Sequence, residues 1–176
     1  DGAALERERL APLRAMANIV VDTSSLRVHD LRRRVFALLA PERASEHPMS
    51  TRLLSFGFKH GLPSDADLVF DVRFLDNPHF VDDLRPHTGE DKRVSEYVLN
   101  AEGAGEFLER SDSLISFLLP RYEAEGKSYL TIAIGCTGGQ HRSVAIAVAL
   151  AERLRKTHQG PINVVHRDAG APTRPS

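Results

Sequence analysis

Apolar positions along this chain fall into dense short runs and helically spaced stripes. Tyr129–Ile134 (YLTIAI) is a dense run that leads into Gly135-Cys136-Thr137-Gly138-Gly139-Gln140-His141-Arg142-Ser143. Val144, Ile146, Ala147, Val148, Leu150, Ala151 and Leu154 then recur at helical spacing, so the pattern predicts strand, tight glycine turn and helix in succession. Ser50–Phe58 (STRLLSFGF) has strand composition and ends in the glycine- and proline-bearing turn Lys59-His60-Gly61-Leu62-Pro63. Leu68–Phe74 (LVFDVRF) reads as a further strand, and Ile162–His166 as the last one. Between them lie a polar loop over Asp82–Lys92, a helix near Asp91–Asn100, and a longer helix from about Gly105 to Glu125. Phe107, Leu108, Leu114, Ile115, Leu118, Leu119 and Tyr122 stripe the longer helix, in which Pro120 predicts a kink or a break.

The front of the chain is less regular. Leu5, Leu10, Leu13 and Met16 are loosely spaced for one helix face, with Pro12 interrupting. Asn18–Val21 reads as a short buried strand running into the cap-type residues Asp22-Thr23-Ser24-Ser25. A helix over Val28–Leu39 follows, with Arg32–Arg34 as a solvated face, then a linker over Pro41–Pro48. This piece reads as the end of a preceding domain, and the charged opening after Asp1-Gly2 as a cut inside a longer protein. The Pro-, Ala- and Thr-rich tail from Gly170 is expected to fray. Strands alternating with helices predict an α/β fold: a mixed, mostly parallel sheet flanked by helices, with an anion-binding glycine turn between strand and helix. Such sheets bind ligands at the carboxyl ends of their strands.

With 176 residues, 41% hydrophobic and 27% charged, the chain suits one compact domain or one domain plus a fragment. A net charge of −1 carries no global nucleic-acid signature, so RNA binding would need a local basic face. One cysteine, Cys136, rules out an internal disulfide framework and a Cys-rich zinc site. No apolar stretch is long enough to span a bilayer, no signal peptide is visible, and a cytoplasmic setting is expected. No HExxH, EF-hand or Walker A pattern occurs, so neither a metal site nor a Walker-type ATPase is expected of this chain by itself.

The glycine turn is where chemistry concentrates. Unpaired turn amides, a helix N-terminus and permissive glycines suit an anion, and Arg142 adds a planar fork for phosphate or carboxylate. Cys136 and Arg142, followed by Ser143, also fit the C-x5-R spacing of cysteine phosphatases, with Asp71 or Asp76 as general acid. The competing reading keeps the anion cradle and leaves Cys136 as a small buried strand-end residue. His141 could donate to a phosphate when protonated, while His79 and His60 sit in turns. Asp71 and Arg73 point to one side of an extended chain. They form either a solvent-facing ion pair or a strand end that delivers both groups into a pocket, with Asn77-Pro78-His79 following.

Four stretches together resemble the C-terminal domain of the RapZ and YvcJ-like RNase adapter family: Ser55–Phe80 (SFGFKHGLPSDADLVFDVRFLDNPHF), Leu84–Val94 (LRPHTGEDKRV), Tyr129–Val144 (YLTIAIGCTGGQHRSV) and Val164–Asp168 (VVHRD). Asn18–Val35 (NIVVDTSSLRVHDLRRRV) is similar to the end of that family's N-terminal P-loop domain. The resemblance implies a remnant of that domain plus linker over 1–46 and a ligand- and RNA-binding domain over 47–176. It implies ATP or GTP hydrolysis only for the N-terminal domain, and no cofactor for this chain. Its implied ligand is glucosamine-6-phosphate or a UDP-N-acetylglucosamine-like nucleotide-sugar, with small regulatory RNA, an RNase and further copies of the chain as other expected partners. The implied pocket has Asp71, Arg73, Asn77 and His79 on one side. Cys136, Thr137, Gly138, Gly139, His141, Arg142 and Ser143 form the other, which makes Cys136 a cradle member. Two departures bear on RNA: Gln140 stands where RapZ has lysine, and the closing GAPTRPS has Arg174 as its sole basic residue.

Overall fold

The computed structural model describes residues 49–170 continuously, together with 2–24 and the isolated positions 26, 31, 34, 35 and 38. The chain divides into two compact units, Asp1–Ser45 and Glu46–Ser176. Most of the helix expected over Val28–Leu39 lies outside the described residues, as do the expected linker and the tail beyond Gly170.

In the first unit, α1 (Gly2–Met16) is one helix that runs through Pro12 rather than stopping at it. The expected strand over Asn18–Val21 is absent. Ile19 and Val20 are about half exposed, and no strand among the described residues pairs with them. A β-branched run becomes a strand only where a neighbour accepts its backbone hydrogen bonds.

The second unit is built on four strands: β1 (Ser50–Gly57), β2 (Leu68–Asp71), β3 (Tyr129–Cys136) and β4 (Ile162–His166). Their order is β2-β3-β1-β4, and every neighbouring pair is parallel. The sheet is therefore all-parallel rather than mixed, because no two successive strands are joined by a hairpin. The helices are α2 (Lys92–Leu99), α3 (Ala104–Ala124) and α4 (Arg142–Thr157). Asp91 caps α2 by accepting the Arg93 N–H at 2.9 Å. Pro120 neither ends nor interrupts α3.

Register decides which side chains face the helices. Leu68, Ile132, Leu53 and Val164 form one row across the sheet. Together with Leu130, Ile134, Cys136 and Ile162 they pack against Leu108, Ile115 and Leu119 of α3 and Ile146, Leu150 and Leu154 of α4. The route from β1 to β2 holds only the short 3-10 turn Phe58–His60 and no α-helix. It runs opposite to the other two crossovers, so right-handed connectivity places residues 58–67 on the second face of the sheet. Phe58 there stacks edge-on against Phe56, 4.8 Å between centroids, and Asp65 pairs with Arg52. The strand expected over Leu68–Phe74 ends early at Asp71, because Asp71 Oδ1 accepts the Arg73 N–H at 2.9 Å and turns the chain.

Candidate functional site

Leaving β1, the chain crosses the second face toward β2; leaving β3, it crosses the helix face toward β4. Neighbouring parallel strands whose connections diverge to opposite faces open a crevice at their carboxyl ends. Gly57 and Cys136, paired in register, stand at its floor. The backbone there is packed tightly: a Cβ on Gly57 would lie 2.6 Å from the Gly138 carbonyl carbon. One on Gly139, whose φ is +78°, would lie 2.5 Å from the Gly57 nitrogen. Only glycine fits at these positions.

Above that floor lies the glycine turn. Lys59 N–H donates to the Thr137 carbonyl at 3.3 Å, and Lys59 Nζ lies 3.8 Å from where a Gly138 Cβ would stand. The N–H groups of Thr137, Gly138, His141, Arg142 and Ser143 have no acceptor among the described residues. His141 sits at the N-cap of α4 without supplying a side-chain cap, so the first-turn amides of that helix remain open. Cys136 is buried under the turn, where its Sγ accepts the Gly139 N–H at 3.2 Å and lies 3.2 Å from Ser143 Oγ.

Arg142 occupies a different place from the phosphate fork anticipated above. It is 5% exposed, and its Nη1 donates to the carbonyls of Arg73 and Leu75, both at 2.9 Å. Nη2 donates to Thr137 Oγ1 at 3.2 Å, while Nε is buried without a partner. The guanidinium thus ties the segment after β2 to the turn after β3.

On the crevice wall formed by that segment, Arg73 and Asp71 pair at 2.6 Å, each about half exposed. The Arg73 guanidinium holds the Asp71 carboxyl below its ordinary range, with Arg142 adding to the effect. Asp71 therefore stays ionised and is poorly suited to act as a general acid. Arg73 also lies 4.2 Å over the Phe58 ring. Asn77 Oδ1 accepts the His79 N–H at 3.3 Å and caps the short 3-10 turn Pro78–Phe80. His79 is exposed, with its ring centroid 6.4 Å from that of buried His141. His141 Nε2 lies 3.2 Å from the Arg85 carbonyl, which can only accept, so Nε2 carries a proton. Burial pulls the His141 pKa below its ordinary value; the Arg85 and His87 carbonyls oppose this, and His79 and Arg142 add to the lowering.

The structure thus brings all eleven anticipated residues to one end of the sheet. Asp71, Arg73, His79 and Thr137 are exposed; Cys136, Gly139, His141, Arg142 and Ser143 are buried beneath them. Four neighbours escaped the site reading: Gly57, Lys59, Arg167 and Asp168. Asp168 Oδ2 accepts the Gly57 N–H at 2.7 Å, and Arg167 Nη2 donates to the carbonyls of Gly57 and Gly61 at 3.2 and 2.8 Å. The pair staples the end of β1 under the turn. Lys59 carried a signal, since it follows a strand-ending glycine, but its meaning depends on the β1–β3 register. Among the described residues no group of three or more metal-ligating side chains occurs, and no helix is long and apolar enough to cross a membrane.

Residues 49–170 match the model of the RapZ C-terminal domain, and residues 1–43 match that of the RapZ-like N-terminal domain. A nucleotide-binding protein of Sorangium cellulosum is 58% identical over 168 residues, covering 96% of this chain and 48% of the relative. One from Anaeromyxobacter sp. strain K is 55% identical over 168 residues, covering 96% and 56%. One from Mycobacterium avium is 52% identical over 177 residues, covering 97% and 57%. The chain spans about half the length of these relatives.

Proposed function

Because the chain belongs to the RapZ-like family, carrying the C-terminal domain and the end of the N-terminal one, we propose that its second unit is a ligand-sensing domain. In this reading it binds a phosphorylated amino sugar or a nucleotide-sugar at the crevice between β1 and β3. The observation that carries the reading is the set of acceptor-free amides on Thr137, Gly138 and the start of α4, beside the Lys59 ammonium. Backbone N–H groups with a helix N-terminus attract an anion, and a lysine beside them neutralises its charge. Arg73 and His79 line the other wall, where a sugar hydroxyl, amine or second phosphate would lie. Arg142 fixes the distance between the walls instead of reaching out. The relatives' name, nucleotide-binding protein, suits the nucleotide-sugar alternative. ATP or GTP turnover is reserved for the N-terminal domain of the longer relatives.

Calorimetric titration with glucosamine-6-phosphate, UDP-N-acetylglucosamine and inorganic phosphate tests this. Saturable heat is expected for one of the two sugar ligands, and Lys59→Ala should weaken it about tenfold, the loss of one charge-assisted contact. Absence of heat for both sugars on folded protein would sink the reading. RNA is a further partner in the same proposal: Phe74 and Phe80 are 59% and 81% exposed beside Arg73, His79 and Arg85, and bases stack on such rings. Binding that falls steeply with salt is the expected signature.

A second reading, a cysteine phosphatase, is favoured by the place of Cys136 Sγ at the base of the turn, 3.2 Å from both the Gly139 nitrogen and Ser143 Oγ. Against it stand the inward-turned Arg142 and the ionised Asp71. It requires p-nitrophenyl phosphate hydrolysis that disappears in Cys136→Ser.

A further inference from the structure

At the end of the sheet opposite the crevice, α3 and α4 finish and lead into the amino ends of β3 and β4. A cavity of about 370 Å³ opens there, lined in part by Ser116, Leu119, Pro120, Glu123, His158 and Gly160. Its polar side is underused. His158 Nε2 is buried without a hydrogen-bond partner among the described residues, and it stands 3.9 Å from Glu123 Oε1. Glu123 Oε1 accepts the Met49 N–H at 3.3 Å, which holds the carboxylate in place. Ser116 adds a second open acceptor: the amide that its carbonyl would take four residues on belongs to Pro120, which has no N–H. Charge in the cavity is one-sided. No lysine or arginine lines it among the described residues, and Glu123 is its one carboxylate. The arginines nearest those helix ends are engaged elsewhere, Arg121 with the Phe117 carbonyl and Arg155 with the Ile162 carbonyl. The C-terminal ends of two helices add partial negative charge.

We propose that this cavity is a second binding site, which takes a small aliphatic primary amine as its ammonium ion. An alkylammonium head has three N–H donors and no acceptor. The cavity offers three matching acceptors: the Glu123 carboxylate, the Ser116 carbonyl and His158 Nε2, the last with its ring proton on Nδ1. The 3.9 Å between Glu123 Oε1 and His158 Nε2 is a gap that one ammonium nitrogen bridges at about 2.9 Å from each. Leu119 and Pro120 supply an apolar wall for the methylene chain. A bare metal ion fits less well. Glu123 and His158 give it two side-chain ligands where a held ion uses three or more, and it would leave most of the volume unfilled. None of the residues in this site belongs to the crevice, so its occupancy and that of the crevice are separate events.

Titration of the whole 176-residue chain with butylamine, followed by amide NMR shifts, tests the site. Saturable shifts are expected at Ser116, Glu123, His158 and Gly160, and none at Gly138 or Ser143. Butan-1-ol, which keeps the chain but lacks the charge, should leave the same amides unmoved. Tetramethylammonium, which keeps the charge but has no N–H, should do likewise. Glu123→Gln retains an oxygen for the Met49 N–H and should weaken butylamine binding about tenfold or more, since the charge-assisted contact is lost. Pro120→Ala gives the Ser116 carbonyl its helical amide back, so it should weaken binding while the fold is kept or strengthened. A purely structural role for Pro120 would not couple those two effects. Absence of saturable shifts, shifts spread over the acidic surface, equal shifts with butan-1-ol, or undiminished binding in Glu123→Gln would each overturn the proposal.

Discussion

Arg142 is nearly fully buried, and a charged fork at that depth must find acceptors or incur a large desolvation cost. It finds three, two of them carbonyls that the segment after β2 cannot satisfy internally. Glycines under the turn are constrained as severely. Gly57→Ala should destabilise the domain by about 1–3 kcal/mol, since backbone rather than a side-chain tip lies 2.6 Å from the new methyl. Gly105→Ala, with nothing within 4 Å, should leave stability unchanged or raise it slightly; urea unfolding of the two variants provides the comparison. His141 makes a further residue-level prediction. Its folded pKa lies below the unfolded value of 6.5, so its contribution to stability is present above that pH and is lost as pH falls through the folded pKa. Urea midpoints should therefore drop as pH falls below about 6.5, and His141→Gln should flatten that slope.

Elements behave as their local pattern dictates except where tertiary packing intervenes. α4 follows from its apolar spacing, and the Asp91 cap begins α2 one residue inside the expected boundary. Pro120 does not break α3: the helix continues through it, with Leu119 and Ile115 anchored in the core. Proline there has no N–H for the Ser116 carbonyl, so the helix loses one backbone bond. Pro120→Ala should raise stability by about 1–3 kcal/mol, measured by urea unfolding. No change would mean that the strain is already relieved locally. β2 is the opposite case: the LVFDVRF composition suits a long strand, but Asp71 captures the Arg73 amide and ends it.

At the scale of the molecule, all four strands and their core belong to the unit Glu46–Ser176. That fragment should fold alone, with a single cooperative thermal transition; a molten, non-cooperative profile would contradict the division. Its site lies where the connections after β1 and β3 part, which explains why Lys59 and Gly138, far apart in sequence, share one crevice.

The sequence by itself determined the strand–turn–helix around Gly135–Ser143, the residue types that gather there and the family to which the chain belongs. Those features are local periodicities and ordered motifs, which the covalent order of residues carries directly. Tertiary structure alone decided that the sheet is all-parallel, that Asn18–Val21 finds no strand partner among the described residues, and that Lys59 stands over the turn. It also decided that Arg142 turns inward. Strand neighbours, register and the acceptors offered to a buried guanidinium are set by segments distant in sequence, and no local pattern encodes them.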